Sequence, residues 1–192
     1  MTHRQQALLS WAAAAAVLLA GCRGGSRPGR MSGSSGSTGS AVTTQTSGWQ
    51  TGLGVLTETS DEGRTGTIHT IAAAVLLDGE GKVADVMLDE LELSVSGGST
   101  GSVTTPEDVR SKRTKGEDYP LAAVSSLKAG WAEQVDAFGR WLTGKTADQV
   151  RGLELDTDGK AQDADLLSGC TIAVESYRNA VLRACADARE MR

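Results

Sequence analysis

The segment Asp165-Leu166-Leu167-Ser168-Gly169-Cys170-Thr171 gathers the residue types best suited to hold or carry a group. It offers a carboxylate, two hydroxyls, a thiol and a glycine within one short stretch. The run Ile172 to Arg189 that follows holds no Gly or Pro. In it Val174, Tyr177, Val181, Ala184 with Cys185, and Ala188 recur at three- and four-residue steps. That spacing predicts a last helix with one apolar stripe. Thr171 then sits at or near its first turn. N–H groups of a first turn lack intrahelical partners, and the helix dipole there favours negative charge. A phosphate on Thr171 would be well placed. Gly169 would let a bulky group approach the backbone, or take a left-handed turn. Ordinary capping accounts for the same residues, with Ser168 or Thr171 as N-cap and Gly169 as a loop glycine. Spacing alone leaves both readings open.

Other chemistries find little material. His3 and His69 are the only histidines, so His-based nucleophilic catalysis and typical zinc sites lack ligands. His69, between Ile68 and Thr70, reads as a surface or packing residue. Asp156, Asp158, Asp163 and Asp165 suggest calcium. However, Gly159 follows Asp158 directly rather than at the sixth loop position, and no Glu closes the loop. A solvated acidic turn fits better. Glu58, Asp61 and Glu62, and Asp85, Asp89, Glu90 and Glu92, read as solvated faces rather than an acid–base pair. No Gly-rich phosphate loop has Rossmann or P-loop spacing. No catalytic residue and no metal ligand is assigned. The net charge of −5 advertises no basic surface for nucleic acid.

The 192 residues suffice for one domain with a sizeable core. Residues 1–21 read as a signal peptide. Arg4 supplies positive charge, and Leu8 to Ala20 is an apolar segment too short for a comfortable membrane span. It ends in Leu19-Ala20-Gly21-Cys22, which resembles the bacterial lipobox. That resemblance implies cleavage before Cys22 and lipid upon it, which would hold the protein to a bilayer without crossing it. Residues 22–47 are the anchor and a tether of Gly, Ser, Thr and Arg, a composition that cannot bury a core. About 25 flexible residues span roughly 28 Å. Arg23, Arg27 and Arg30 would touch anionic headgroups or simply keep the tether soluble.

The domain is expected over 48–192. Trp49 to Thr59 is strand-like, broken by Gly52 and Gly54. Thr65 to Leu77 and Lys82 to Leu93 read as a hairpin around Asp78-Gly79-Glu80-Gly81. Residues 95–106, and Lys112 to Tyr119, read as loops. Trp131, Val135, Phe138 and Leu142 form a helical stripe, with Gly144 suited to its C-cap. Thr146-x-x-Gln149 is a capping box for a helix to about Leu153. Thr157-Asp158-Gly159-Lys160 is a turn. The fold class is α+β, a small antiparallel sheet packed by C-terminal helices. On one straight helix, Cys170 and Cys185 would lie roughly 22 Å apart, which forbids a disulfide. Cys185 reads as a small core residue.

Asp165-x-x-Ser168-Gly169-Cys170-Thr171 resembles the D-x-x-S/T-G-A-T motif of the FMN-binding domain family, which includes a component of the sodium-translocating NADH:quinone oxidoreductase and many surface lipoproteins. Lys115-Gly116-Glu117-Asp118-Tyr119, Gly130-Trp131-Ala132-Glu133-Gln134, Phe138 and Gly144-Lys145-Thr146 are similar to the segment before that motif in clostridial-type members. The resemblance covers most of residues 65–189. It implies an FMN-binding-domain-like fold and FMN joined to Thr171 through a phosphoester by a flavin transferase. Asp165, Ser168, Gly169 and Cys170 would then be recognition or geometry residues. Cys170 stands where alanine is usual, and Ile172 where Ser or Thr is common. The implied role is a membrane-anchored, extracytoplasmic electron carrier between a membrane donor and an external acceptor, with no turnover reaction of its own claimed. The alternative is a surface binding or structural lipoprotein with the same fold and no flavin.

Overall fold

The computed structural model describes residues 48–61, 63–98 and 102–190. The signal segment, Cys22, the tether and Glu62 lie outside the described residues. Three long strands form an antiparallel meander: β1 (Gln50–Asp61), β2 (Thr65–Leu77) and β3 (Val83–Gly97). Two short strands, β4 (Val103–Thr104) and β5 (Arg189–Glu190), extend its edges in the order β4-β3-β2-β1-β5. The helices are α1 (Lys112–Lys115), α2 (Leu121–Val124), α3 (Trp131–Leu142), α4 (Ala147–Arg151), α5 (Ala164–Leu167) and α6 (Glu175–Asp187). The coarse α+β expectation therefore holds. Among the described residues no helix is long and apolar enough to cross a membrane.

Strand alternation decides which face is covered. Gly54, Ala73 and Leu88 lie in register across β1, β2 and β3, as do Leu56, Ile71 and Glu90. This inner face is the buried one, with Ile71, Ala73, Val75, Leu77 and Leu88 in the core. Trp131, Val135, Phe138 and Leu142 of α3 pack into it, as do Tyr177, Ala180, Val181 and Ala184 of α6. Among the described residues nothing packs over the opposite face, and Leu53, Val55 and Met87 are exposed there.

The strand that glycines were expected to break runs through them. Gly52 and Gly54 point at α6. A Cβ on Gly52 would lie 1.9 Å from the Ala184 carbonyl oxygen, and one on Gly54 would lie 2.0 Å from that of Ala180. The absent side chains let the helix backbone rest on the strand. The loop expected over 95–106 is partly strand, because β3 runs on to Gly97 and β4 pairs with its end. The mixed-charge loop at 112–119 is instead α1 followed by a 3-10 turn at Gly116–Asp118. Ser111 caps α1 by accepting from the Thr114 N–H. The α3 stripe, the Thr146–Gln149 capping box and the Asp156–Lys160 turn stand as expected. Gly144 follows the C-cap Thr143 at φ 81°, and its N–H donates to the Val83 carbonyl at 2.7 Å, strapping the α3–α4 connection to β3.

Gly52→Ala and Gly54→Ala in the full chain should each cost about 3 kcal/mol or more, because backbone rather than a movable side chain occupies the space. Urea unfolding reads this. Thr59→Ala, at an exposed position of the same strand, should cost less than about 1 kcal/mol.

Candidate functional site

Thr171 does not lie in the first turn of the last helix. Helix α6 begins at Glu175 with Val174 as its N-cap, so Thr171 sits in the connection from α5. One long-range pairing, an antiparallel bridge, holds that connection off the helix. The Val174 N–H donates to the Gly159 carbonyl at 2.8 Å, and Ala173 bridges to Lys160. The acidic turn thus claims the backbone that would have started the helix. The helix-dipole argument for a phosphate at Thr171 loses its basis, since that field fades beyond the terminal turn.

Neither hydroxyl is an N-cap. Asp163 caps α5, its Oδ1 accepting from the Leu166 N–H at 3.0 Å, and that bond, the leading cause, holds its carboxyl below the usual range. Asp165 follows in the first turn with an exposed side chain. Ser168 ends the helix, and its Oγ donates to the Asp165 carbonyl at 2.7 Å. Gly169 has no left-handed φ. It is small because α3 lies against it, and a Cβ there would come 2.9 Å from that of Ala137. Cys170 turns inward and is 1 % exposed, and burial pushes its thiol up to about 11. Both Cys170 and Cys185 are free thiols. Cys170 precedes α6 rather than lying on it, so the two do not share one helix.

The Thr171 backbone N–H and Oγ1 both donate to Oε1 of Gln134, at 3.0 and 3.2 Å. Gln134 lies on α3 and is fully buried. Its Nε2 donates to Ser125 Oγ at 2.9 Å and to the Ala129 carbonyl at 3.1 Å. Thr171 itself is half-buried, and the next two residues, Ile172 and Ala173, wall a cavity of about 300 Å³. Tyr119, Trp131 and Tyr177 supply its aromatic lining, and His69, Glu90 and Lys112 its charged side. Tyr119 and Trp131 also line a neighbouring hollow of about 700 Å³ beside Lys128 and Glu133.

The charged side was not expected. Glu90 is 3 % exposed rather than part of a solvated face. Its Oε1 accepts from Lys112 Nζ at 2.9 Å and from His69 Nδ1 at 2.8 Å, and Tyr177 donates its hydroxyl to Oε2. Trp131 Nε1 donates to that phenol oxygen at 3.0 Å. Lys112 also reaches Glu92 at 2.8 Å, and Tyr119 donates to Glu92 at 3.2 Å. Burial alone would lower the Lys112 pKa, but its bonds to Glu92 and Glu90 carry it above the usual range. Burial raises Glu92, yet its contacts with Lys112 leave it below a normal carboxyl. Burial, then Glu90, pushes the Tyr177 phenol well up. His69 is a hydrogen-bond partner of Glu90 rather than a plain surface or packing residue. Strand periodicity placed Glu90 and Glu92 on the same face as Leu88, and that was the one available signal. Lys112, far along the chain, carried none.

His69, Glu90 and Glu92 bring candidate ligand atoms within 4.8 Å of one another. The Lys112 ammonium already bridges both carboxylates, so a cation stands between them without any ion. Arg113 fastens the same segment from outside, donating to the Leu88 carbonyl and pairing with Asp136 of α3 at 2.7 Å.

Searches against family models, curated proteins and solved structures found no match to this chain.

Lys112→Met should cost about 3–5 kcal/mol, because it leaves Glu90 buried and short of its cation. Chemical denaturation at neutral pH measures it. Glu92 has a depressed folded pKa, so its contribution is present above the ordinary carboxylate pKa and lost as pH falls through the folded one. The stability difference between the parent and Glu92→Gln should therefore persist at neutral pH and vanish in acid, below the ordinary carboxylate range.

Proposed function

We propose that this protein is a membrane-anchored, extracytoplasmic flavoprotein that carries FMN on Thr171 and serves in electron transfer. The observation that carries the reading is the half-buried Thr171 hydroxyl, which closes a flavinylation-type motif beside an aromatic cavity. The two departures from the motif do not obstruct it. Cys170 faces the core, where its small side chain packs as alanine would, and Ile172 adds an apolar wall to the cavity. The cavity and its neighbour lie within the usual volume of small-molecule sites, about 300–1,000 Å³. Thr171 Oγ1 would hold the phosphate. The flavin, when bound, would supply one- and two-electron transfer. The chain would contribute attachment and an aromatic surround. Lipid on Cys22 and the tether would keep the domain at a bilayer, between a membrane donor and an external acceptor.

A flavin-free lipoprotein of the same fold has one observation in its favour. Both donor groups of Thr171 already satisfy Gln134, which suits a purely structural threonine.

The full chain and its Thr171→Ala variant, each co-produced with a bacterial flavin transferase, separate the two. A gain of one FMN less water on the parent alone supports the flavoprotein. No gain on either, with the transferase active on a control substrate, favours the flavin-free reading.

A further inference from the structure

We infer that Gln134 is the positioning residue of the acceptor site, presenting the Thr171 hydroxyl for flavinylation. The inference rests on Thr171 being the acceptor. Gln134 belongs to the segment Gly130 to Gln134, of which Trp131 enters the proposed function as a cavity wall and Gln134 does not. Its amide joins that segment to the Thr171 motif, 37 positions away.

The direction of the amide follows from its neighbours. The Ala129 carbonyl can only accept, so Nε2 must face it, at 3.1 Å. The Thr171 backbone N–H can only donate, so Oε1 must face it, at 3.0 Å. The two constraints agree, and a flipped amide would violate both. The side chain is fully buried with a second donor bond to buried Ser125, so no water competes for Oε1. Thr171 Oγ1, at 3.2 Å from the same atom, is thereby held as a donor.

That arrangement suits a nucleophile. With its proton committed to Oε1, Oγ1 keeps its lone pairs for phosphorus. In the transfer, Oγ1 attacks the FMN phosphorus of a flavin phosphoanhydride. The Oγ1–P bond forms, the anhydride P–O bond breaks, and the second phosphate leaves with its oxygen. The hydroxyl proton passes to water or to a base of the transferase, and no electrons are exchanged. The amide oxygen is no base. Its part is to fix the hydroxyl in one orientation, the contribution that near-attack geometry makes to a bimolecular step. After esterification Oγ1 has no proton to donate, and of the two bonds from Thr171 to Gln134 only that of the backbone N–H remains.

The test follows initial rates of flavin incorporation into the full chain, with a transferase proven on a control substrate. The parent, Gln134→Leu and Val181→Ala are compared. Val181 is a buried α6 residue outside the acceptor site and controls for lost stability. Gln134→Leu should be slower by about tenfold or more at saturating chain concentration. Val181→Ala should match the parent. Equal rates for Gln134→Leu and the parent would overturn the inference, as would an equal loss in Val181→Ala. No flavin on the parent would retire the Thr171 reading and the inference together; flavin on the parent with an unaffected Gln134→Leu would retire the inference alone. A measurement on the parent needs no variant to fold. The Thr171 amide should exchange with deuterium much more slowly than an unstructured peptide, and exchange at the unstructured rate would overturn the clamp.

Discussion

Helix α6 can rest on β1 only because positions 52 and 54 carry no side chain. The carbonyl oxygens of Ala180 and Ala184 occupy the space that Cβ atoms would need. This contact fixes the height of α6 above the sheet, and much else is measured from it. Tyr177 reaches Glu90 across the inner face because the helix sits so low. Val174 meets the acidic turn at Gly159, and the connection carrying Thr171 is drawn across to Gln134. A helix propped up by even one methyl group would move all three.

The buried charges answer a different need. Segment 105–130 contains only short helical turns and contributes little to the core. Lys112 and Arg113 fasten it, one through Glu90 and Glu92, the other through the Leu88 carbonyl and Asp136. Burying such a pair costs desolvation that its attraction only partly returns. What it secures is placement. Lys112, Tyr119 and Trp131 are brought to the same cavity wall, and each polar tip finds a partner there.

The legible parts of the fold are those set by local period. The hairpin of Thr65–Leu77 and the strand after it follows from two apolar β runs around a strong turn, and the α3 stripe from helical spacing. The parts hidden from sequence depend on distant partners. Gly52 and Gly54 look like breaks because α6, which fits them, lies far along the chain. Leu91 and Leu93 blur the alternation that turns Glu90 inward. The motif at 165–171 is legible as a unit. Its placement is not, because Gly159 and Gln134 compete for the backbone against the helix. Gln134 stands out only as part of a segment, with no hint in its neighbours of what its amide does.

The pairing of α6 with β1 also orders the events of synthesis. Contacts between Gly52 and Ala184, or Glu58 and Ser176, join residues separated by most of the domain. Such long loops slow folding, since closure must come before any contact rewards it. The β1–β3 meander can pair early, but the β1 and β2 part of its inner face is covered only once α6 docks. A chain cut short before α6 would lose the helix that packs over Ile71, Ala73 and Val75, and apolar surface opened in this way is what chaperones hold and aggregation exploits.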